Sequence, residues 1–477
     1  MNILTTAWPF IVPEIGLIIL ILATLVAELT LPSHLKPWML TFNGVGLAWL
    51  IGWSLLAPQG FHQLFYDFYV VDSFSNVLRI LFLMVGLLII LMSREDSPGG
   101  EAEQGPFLLL LLLGTLGMIF TASAGDLLTL FLAIELVTFS FYVMITYLRT
   151  DPRSVEAGLK YLIVGGVSSA ITLFGIALVY AGTGATSLHL LAKALAVTPS
   201  TDLCFAGLTL IVAGLGFKIG MVPFHMWVPD VYHGAPTSVG AFLSVGSKAA
   251  GCAALLRMIP LVFTLDRSRG LLILSVGAAL SLLYGNLGAI PQKNFKRLLG
   301  YSSIGHTGYL LMAFASPTLM GARALVFYLF SYLFATGLSF FIIAICHKHV
   351  GGDEIEDLNG LVFRSPLLAG SLFIALISLA GVPPLAGFFA KFLVLALLVR
   401  EGLWWLAGLG LIMVPVALYY YLLIIKTAMS RPAKELAPIT TDRLTRASLA
   451  MAVTALVLLG VFQRPLYQLV SGYILNF

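Results

Sequence analysis

The chain has 477 residues, 59% of them hydrophobic and only 10% charged, with a net charge of +4. A soluble domain is about a quarter charged, so this composition excludes a soluble enzyme and leaves an all-α polytopic membrane protein. The small positive excess matters only through where it sits, and no nucleic-acid partner is expected.

A spanning helix needs about 20 mostly apolar residues. Taken in chain order, the first three such runs are 9–31, 38–57 and 74–93. The opening stretch, MNILTTAWPFIVPEIGL, has no basic segment before its first apolar run, so a cleaved signal peptide is not expected. Runs 106–124, 126–148, 158–181, 203–228 and 237–263 follow, and then 270–290, 299–316, 322–346, 366–399 and 403–427. A last run covers 445–470, for about fourteen spans in all. The tenth is diluted by Gly300, Gly305, His306 and Gly308, and the twelfth is too long for one straight helix.

The connections near 182–202 and 347–365 are the longest, so the chain reads as one membrane domain over 1–477. Cys204, Cys252 and Cys346 lie far apart in apolar runs and read as packing residues rather than a disulfide or metal framework. GLGFKIG at 214–220 superficially suggests a phosphate loop, but its spacing is wrong and it lies inside a span.

Two spans are interrupted. The seventh carries Gly214, Gly216, Gly220 and Pro223, and the twelfth carries GVPPLAG at 381–387. Broken segments in corresponding positions point to an internal repeat. The breaks, and likewise the starts of spans four and nine, lie about 160 residues apart. Five spans (106–263) thus correspond to five more (270–427), with helices 1–105 before them and 445–477 after. Because five is odd, the second unit enters from the opposite side, so the repeats are inverted.

With the N-terminus outside, about fourteen of the basic residues fall on the inner side and about eight outside. The expectation is therefore both termini on the periplasmic or equivalent side.

An ionisable group at the bilayer centre costs roughly 2.5–3.5 kcal/mol. Glu135, Lys218, Lys248 and Lys391 accept that cost near the middle of their spans. A static Glu135–Lys218 ion pair would account for two of them, but Lys248 and Lys391 have no evident carboxylate partner. Burial disfavours a charged ammonium, so such groups can gain and lose protons, as a relay through hydrocarbon requires. Lys160, nearer a span end, suits a snorkelling side chain equally well. His306 and His225 read first as hydrogen-bonded packing groups. Breaking a helix beside Lys218 and Lys391 frees carbonyls that lipid cannot satisfy, so the breaks read as hydrated, with Asp230 and His233 toward the inner surface.

The run GFKIGMVPFHMWVPDVYHGAPTSVGAFLSVGSKAAG at 216–251 closely resembles the antiporter-like membrane subunits of respiratory complex I, and among them the N subunit family, which includes mitochondrial subunit 2. YLIVGGVSSAITLFGIALVYAGTG (161–184), NFKRLLGYSSIGHTGYLLM (294–312) and LAGVPPLAGFFAKF (379–392) support it, and lysine rather than glutamate at 391 favours N over M. The resemblance implies fourteen helices in two inverted five-helix repeats, with helices 7 and 12 broken. It implies proton transfer by Glu135, Lys218, Lys248 and Lys391, with Lys160 and His306 on the hydrated axis. It further implies a translocase subunit in a bacterial plasma membrane or its equivalent, beside an M-type and a K-type subunit and lipids. No cofactor is expected in this chain; NADH, FMN, iron–sulfur clusters and quinone are expected in partner subunits. Relatives commonly carry an acidic residue where this chain has His233. A subunit of an Mrp-type cation/proton antiporter or a membrane-bound hydrogenase is the alternative. A purely structural subunit or a solute permease fits the charged axis less well.

Overall fold

In the computed structural model the chain is almost entirely helical. It describes residues 3–469 apart from 58–59, 97, 99, 101–102, 198–201 and 432–436. Helices α1 (Ile3–Thr30), α2 (Trp38–Leu56) and α3 (Ser73–Met92) form a leading bundle, with a hairpin of β1 (His62–Leu64) and β2 (Tyr69–Val71) between the last two. Next come α4 (Gln104–Ser123), α5 (Leu127–Ile145), α6 (Pro152–Thr183) and the short α7 (Leu188–Val197). The first broken span is α8 (Asp202–Ile219) followed by α9 (Trp227–Gly234). Helix α10 (Thr237–Phe242) runs through a π-helical turn, Leu243–Ser247, into α11 (Lys248–Ala289). Asp266 (φ −154°) kinks α11 and divides the two spans expected at 237–263 and 270–290. Then follow α12 (Phe295–Ala313), α13 (Leu319–Val350) and the four-residue α14 (Leu361–Arg364). The second broken span is α15 (Pro366–Ala380) with α16 (Ala386–Arg400), and α17 (Trp404–Met429), α18 (Arg443–Val461) and α19 (Arg464–Leu469) complete the described chain.

Eleven helices among the described residues are long and apolar enough to cross a membrane. The chain is an integral membrane protein. The expected tenth span falls on α12, whose glycines and polar residues dilute its hydropathy, and the expected twelfth on the pair α15 and α16. The segment near 182–202 is not a plain loop. In LHLLAKALAV the leucines at 188, 191 and 195 share a face and are buried, forming α7, which is too short to span. The chain ends, on which the expected sidedness of the termini bears, lie outside the described residues.

Caps set where the helices begin. Asp72 accepts from Ser75 N and Ser75 Oγ accepts from Asp72 N, opening α3. Asp126 accepts from Leu128 N and Thr129 N to open α5, and Asn294 accepts from Arg297 N to open α12. At the centre stands α13, 94% buried over its most apolar window and packed against α3, α10, α12, α15, α16 and α18. A helix that is apolar all round belongs inside a bundle. The outer faces of α5, α6 and α17 instead expose Leu132, Phe139, Ile163, Phe174, Trp404 and Trp405.

Two buried ion pairs tie the leading bundle together and to the rest. Arg79 Nε lies 2.8 Å from Glu14 Oε1, which also accepts from the Tyr69 hydroxyl at 2.6 Å. Arg257 of α11 donates to Asp72 Oδ2 at 2.7 Å and to the Ala122 carbonyl at 2.9 and 3.2 Å. Breaking such a pair from one side leaves a buried charge uncompensated, at about 3–5 kcal/mol. Asp72→Asn keeps the cap but removes the charge, and it is expected to lower the thermal unfolding midpoint of the detergent-purified protein. Asp72→Asn combined with Arg257→Leu is expected to recover most of the loss. An unchanged midpoint in the single variant contradicts the account.

Candidate functional site

Helix α5 presents Glu135 and Thr138 three residues apart, on one face. Toward that face points Lys218, in the last turn of α8, only 6% exposed. Its Nζ donates to Thr138 Oγ1 at 2.6 Å and lies 3.8 Å from Glu135 Oε1. The same carboxylate oxygen accepts from Ser169 of α6 at 2.6 Å. A small pocket, with room for about one water, lies beside the pair between Ile134, Thr172 and Leu215. The carboxylate is thus shared between a hydroxyl and a loosely held ammonium, an arrangement in which the ion pair can tighten or part.

The break after Lys218 is built from Gly220 in a left-handed conformation (φ +71°), where a Cβ would also meet Val228. The backbone groups near it find partners in the protein. Trp227 Nε1 donates to the Phe217 carbonyl at 3.1 Å, Thr307 to the Ile219 carbonyl at 2.6 Å, and Val222 N to Ser281 Oγ at 3.0 Å. His225 packs against Tyr284, ring centroids 4.1 Å apart.

Lys248 begins the regular part of α11, directly after the π-helical turn, and is 3% exposed. Its Nζ donates to the Ser303 carbonyl at 2.5 Å and also to Ser303 Oγ. Such π-helical turns occur frequently at functional sites, and nothing in LSVGS signals one by spacing. Ser303 also bonds the Tyr232 hydroxyl, at 3.2 Å, and one turn further along α12 stands His306. His306 Nδ1 is 2.7 Å from the Tyr328 hydroxyl and Nε2 is 3.5 Å from that of Tyr421, which in turn bonds Ser302.

Lys391, 4% exposed, lies in α16 and reaches back across its break to donate to the Ala380 carbonyl at 2.9 Å. That carbonyl stands at the C-terminus of α15, the negative end of a helix dipole. Gly381 there has φ +87°, and a Cβ would press on the lysine stem. A narrow cleft joins Lys391 to His306, with Tyr328, Ser331, Tyr332 and Ser378 on its walls.

The structure therefore brings Glu135 together with Lys218, and Lys391 together with His306, while Lys248 touches α12 one turn from that histidine. Lys160 belongs elsewhere. It pairs with Asp230 at 2.7 Å and Glu156 at 2.8 Å, and Asp230 also binds Arg297 at 2.7 Å, on the face expected to be inner. Thr138, Ser169, Ser303 and the tyrosines of the axis were not singled out from sequence. Thr138 alone carried a signal, its helical spacing from Glu135. Among the described residues no group of three or more His, Cys, Asp or Glu is placed to hold a metal ion.

Buried ammonium groups strung through two broken helices define an antiporter-type membrane subunit. The family model described as NADH:quinone oxidoreductase/Mrp antiporter, TM, matches residues 124–416. The NADH-quinone oxidoreductase subunit N of Desulforamulus reducens is 41% identical over 97% of both chains. A chain of respiratory complex I from Thermus thermophilus superimposes with a TM-score of 0.83 at 34% identity, covering 97% of this chain and all of that one. A chain of the Mrp complex from Dietzia, at 21% identity and TM-score 0.83, covers 96% of this chain and 95% of its own, and shares the fold. The chain belongs to the NADH-quinone oxidoreductase subunit N family.

On the same face as Lys160, Lys296 Nζ lies 2.7 Å and His347 Nδ1 2.8 Å from Asp353, whose main chain pins the start of α12 through Phe295 N. Burial raises the Asp353 pKa, but the bonds from His347 and Lys296 outweigh it and hold the carboxyl at about 2. A depressed carboxyl stabilises the fold above its unfolded pKa and loses that contribution as pH falls through the folded value. The contribution is on the order of 2 kcal/mol; it is present above about pH 4 and lost toward pH 2. Asp353→Asn is expected to remove it at neutral pH and to speed amide exchange across 353–358. Equal exchange in the two proteins rejects this latch.

Proposed function

We propose that the chain is a proton-translocating, antiporter-like subunit of a complex I-type quinone oxidoreductase. The observation that carries this is the series Lys218, Lys248 and Lys391, each nearly buried, with one carboxylate among their direct partners. Static charges with no counter-charge are poor structural material in hydrocarbon, whereas groups that exchange protons with neighbouring hydroxyls and water are what a relay needs.

In this reading Glu135 governs Lys218. A charge arriving near α5 draws Glu135 toward or away from the ammonium, and Thr138 and Ser169 offer each partner an alternative bond. The proton then passes by Lys248 and the hydroxyls of α12 to His306 and Lys391. Moving one charge against 100 mV costs about 2.3 kcal/mol, and a change of two units in a lysine's proton affinity amounts to about 2.7 kcal/mol. The lever is therefore of the required size. Lys160, with Asp230 and Arg297, stands at the inner mouth rather than on the axis.

The coupled redox chemistry belongs to partner subunits, which hold NADH, FMN, iron–sulfur clusters and quinone. The neighbours are an M-type and a K-type subunit with lipid between. Both termini face the outer side of a bacterial plasma membrane, and spans four to eight and nine to thirteen form two inverted units. The subunit N relatives favour this parent complex over an Mrp antiporter, whose likeness extends to the fold.

The test uses the whole complex carrying Lys218→Ala, purified, checked for assembly on a native gel and reconstituted in sealed liposomes. Coupled quinone reduction and internal acidification are expected to fall together by at least about tenfold, equivalent to about 1.4 kcal/mol of barrier. Lys160→Ala is expected to cost less. An assembled Lys218→Ala complex that pumps normally refutes the relay.

A further inference from the structure

Among the described residues two of the central lysines have no carboxylate partner, so something else must receive their charge. Each lies against the face of a tyrosine ring. Lys391 Nζ is 4.9 Å from the centroid of Tyr309, and Lys248 Nζ is 5.3 Å from that of Tyr332. Both rings are fully packed, at 2% and 3% exposure. Their hydroxyls are turned to other tasks. Tyr309 donates to the Gly410 carbonyl of α17 at 2.7 Å, and Tyr332 shares a 3.0 Å bond with Ser244 in the π-helical turn. The hydroxyl bonds fix each ring while leaving its face to the lysine.

Each ammonium also donates to a backbone carbonyl, Ala380 for Lys391 and Ser303 for Lys248, and Lys248 bonds the Ser303 hydroxyl as well. A lysine ammonium has three donors. Ala380 takes one from Lys391, and the ring face and the adjoining cleft receive the rest of its charge. Lys218 differs in having Glu135 within 3.8 Å, and the ring beside it belongs to its own neighbour Phe217.

We propose that Tyr309 and Tyr332 are positioning residues that hold the Lys391 and Lys248 ammonium groups by their ring faces. This rests on the relay reading above and adds the groups that make it reversible. An aromatic quadrupole attracts a cation and has little hold on a neutral amine. It therefore favours the protonated lysine without supplying a counter-charge that would trap the proton as an ion pair does. The ring cannot itself take the proton, so each lysine must pass it on elsewhere, Lys391 through the cleft it shares with His306. Tyr332 serves twice, because it lies under Lys248 and also walls the cleft of Lys391.

The experiment uses the intact complex in sealed liposomes, with quinone reduction and internal acidification read together and assembly checked on a native gel. Tyr309→Phe keeps the ring and loses the hydroxyl, Tyr309→Leu loses both, and Lys391→Met removes the cation. Tyr309→Phe is expected to retain at least about half of the pumping and Tyr309→Leu to lose about tenfold, the gap expected of a desolvated cation–ring contact. In the Lys391→Met background the leucine substitution is expected to add nothing. A Tyr309→Phe variant that falls as far as Tyr309→Leu places the effect in the Gly410 bond and overturns the proposal. So does a Tyr309→Leu variant that pumps normally, or one that lowers activity further when Lys391 is already gone. Tyr332→Phe and Tyr332→Leu give the same comparison at Lys248 and decide the matter if the leucine variant at 309 does not assemble. Normal pumping by Lys391→Met is a separate outcome: it removes the relay itself, whatever the tyrosines do.

Discussion

Inside an apolar span, every polar group that leaves a regular helix must find its partner in the protein, because lipid offers none. That constraint organises this molecule. The breaks at Gly220 and Gly381 disturb two backbone ladders, and nearby side chains are arranged to meet what is exposed. Trp227, Ser281 and Thr307 serve the first break, while Ser378 Oγ accepts from Gly387 N and Lys391 caps Ala380 at the second. Most of these partners come from other helices. The breaks are therefore also what binds α8, α11 and α12, or α15 and α16, into one unit.

The same constraint explains how the charges are distributed. Away from the axis, buried ions meet opposite charges at close range: Arg79 with Glu14, Arg257 with Asp72, and Asp353 with both Lys296 and His347. Such pairs are expensive to break from one side and suit fixed architecture. Along the axis the matching is deliberately incomplete. Lys218 holds a carboxylate at arm's length, and Lys248 and Lys391 rest on carbonyls, hydroxyls and ring faces. The fixed pairs and the proposed relay thus use the same residue types with opposite degrees of compensation.

The sequence makes this division partly legible. Apolar run length marks the long helices, eleven of which among the described residues are apolar enough to span, and glycine and proline mark the breaks at 219–227 and 380–386, because both signals are local. The central charges stood out because a lysine in hydrocarbon needs a reason wherever it occurs. What pairs with it is a question of tertiary distance, which no spacing along one helix answers. Hence Lys160, read as a possible member of the axis, pairs with Asp230 seventy residues away. Ser303 and Tyr309 were invisible as partners because serines and tyrosines are ordinary in membrane helices. The turn at 243–247 left no mark, and α7 was passed over because ten amphipathic residues fall below the length of a span.

Helix α12 touches both breaks and receives Lys248. Its glycines and hydroxyls leave it outside the eleven helices apolar enough to cross a membrane, yet it packs between both broken segments and is buried along almost its whole length. A more apolar sequence would insert more readily, but it would lose the groups that touch three separate sites. Ser303 receives Lys248, Thr307 closes the first break at Ile219, and His306 faces the cleft of Lys391. Those three residues span little more than one helical turn. A small rotation or shift of α12 therefore acts on all of them at once. Those contacts match its polar groups inside the protein, which is the physical reason its polarity is tolerated within the bundle.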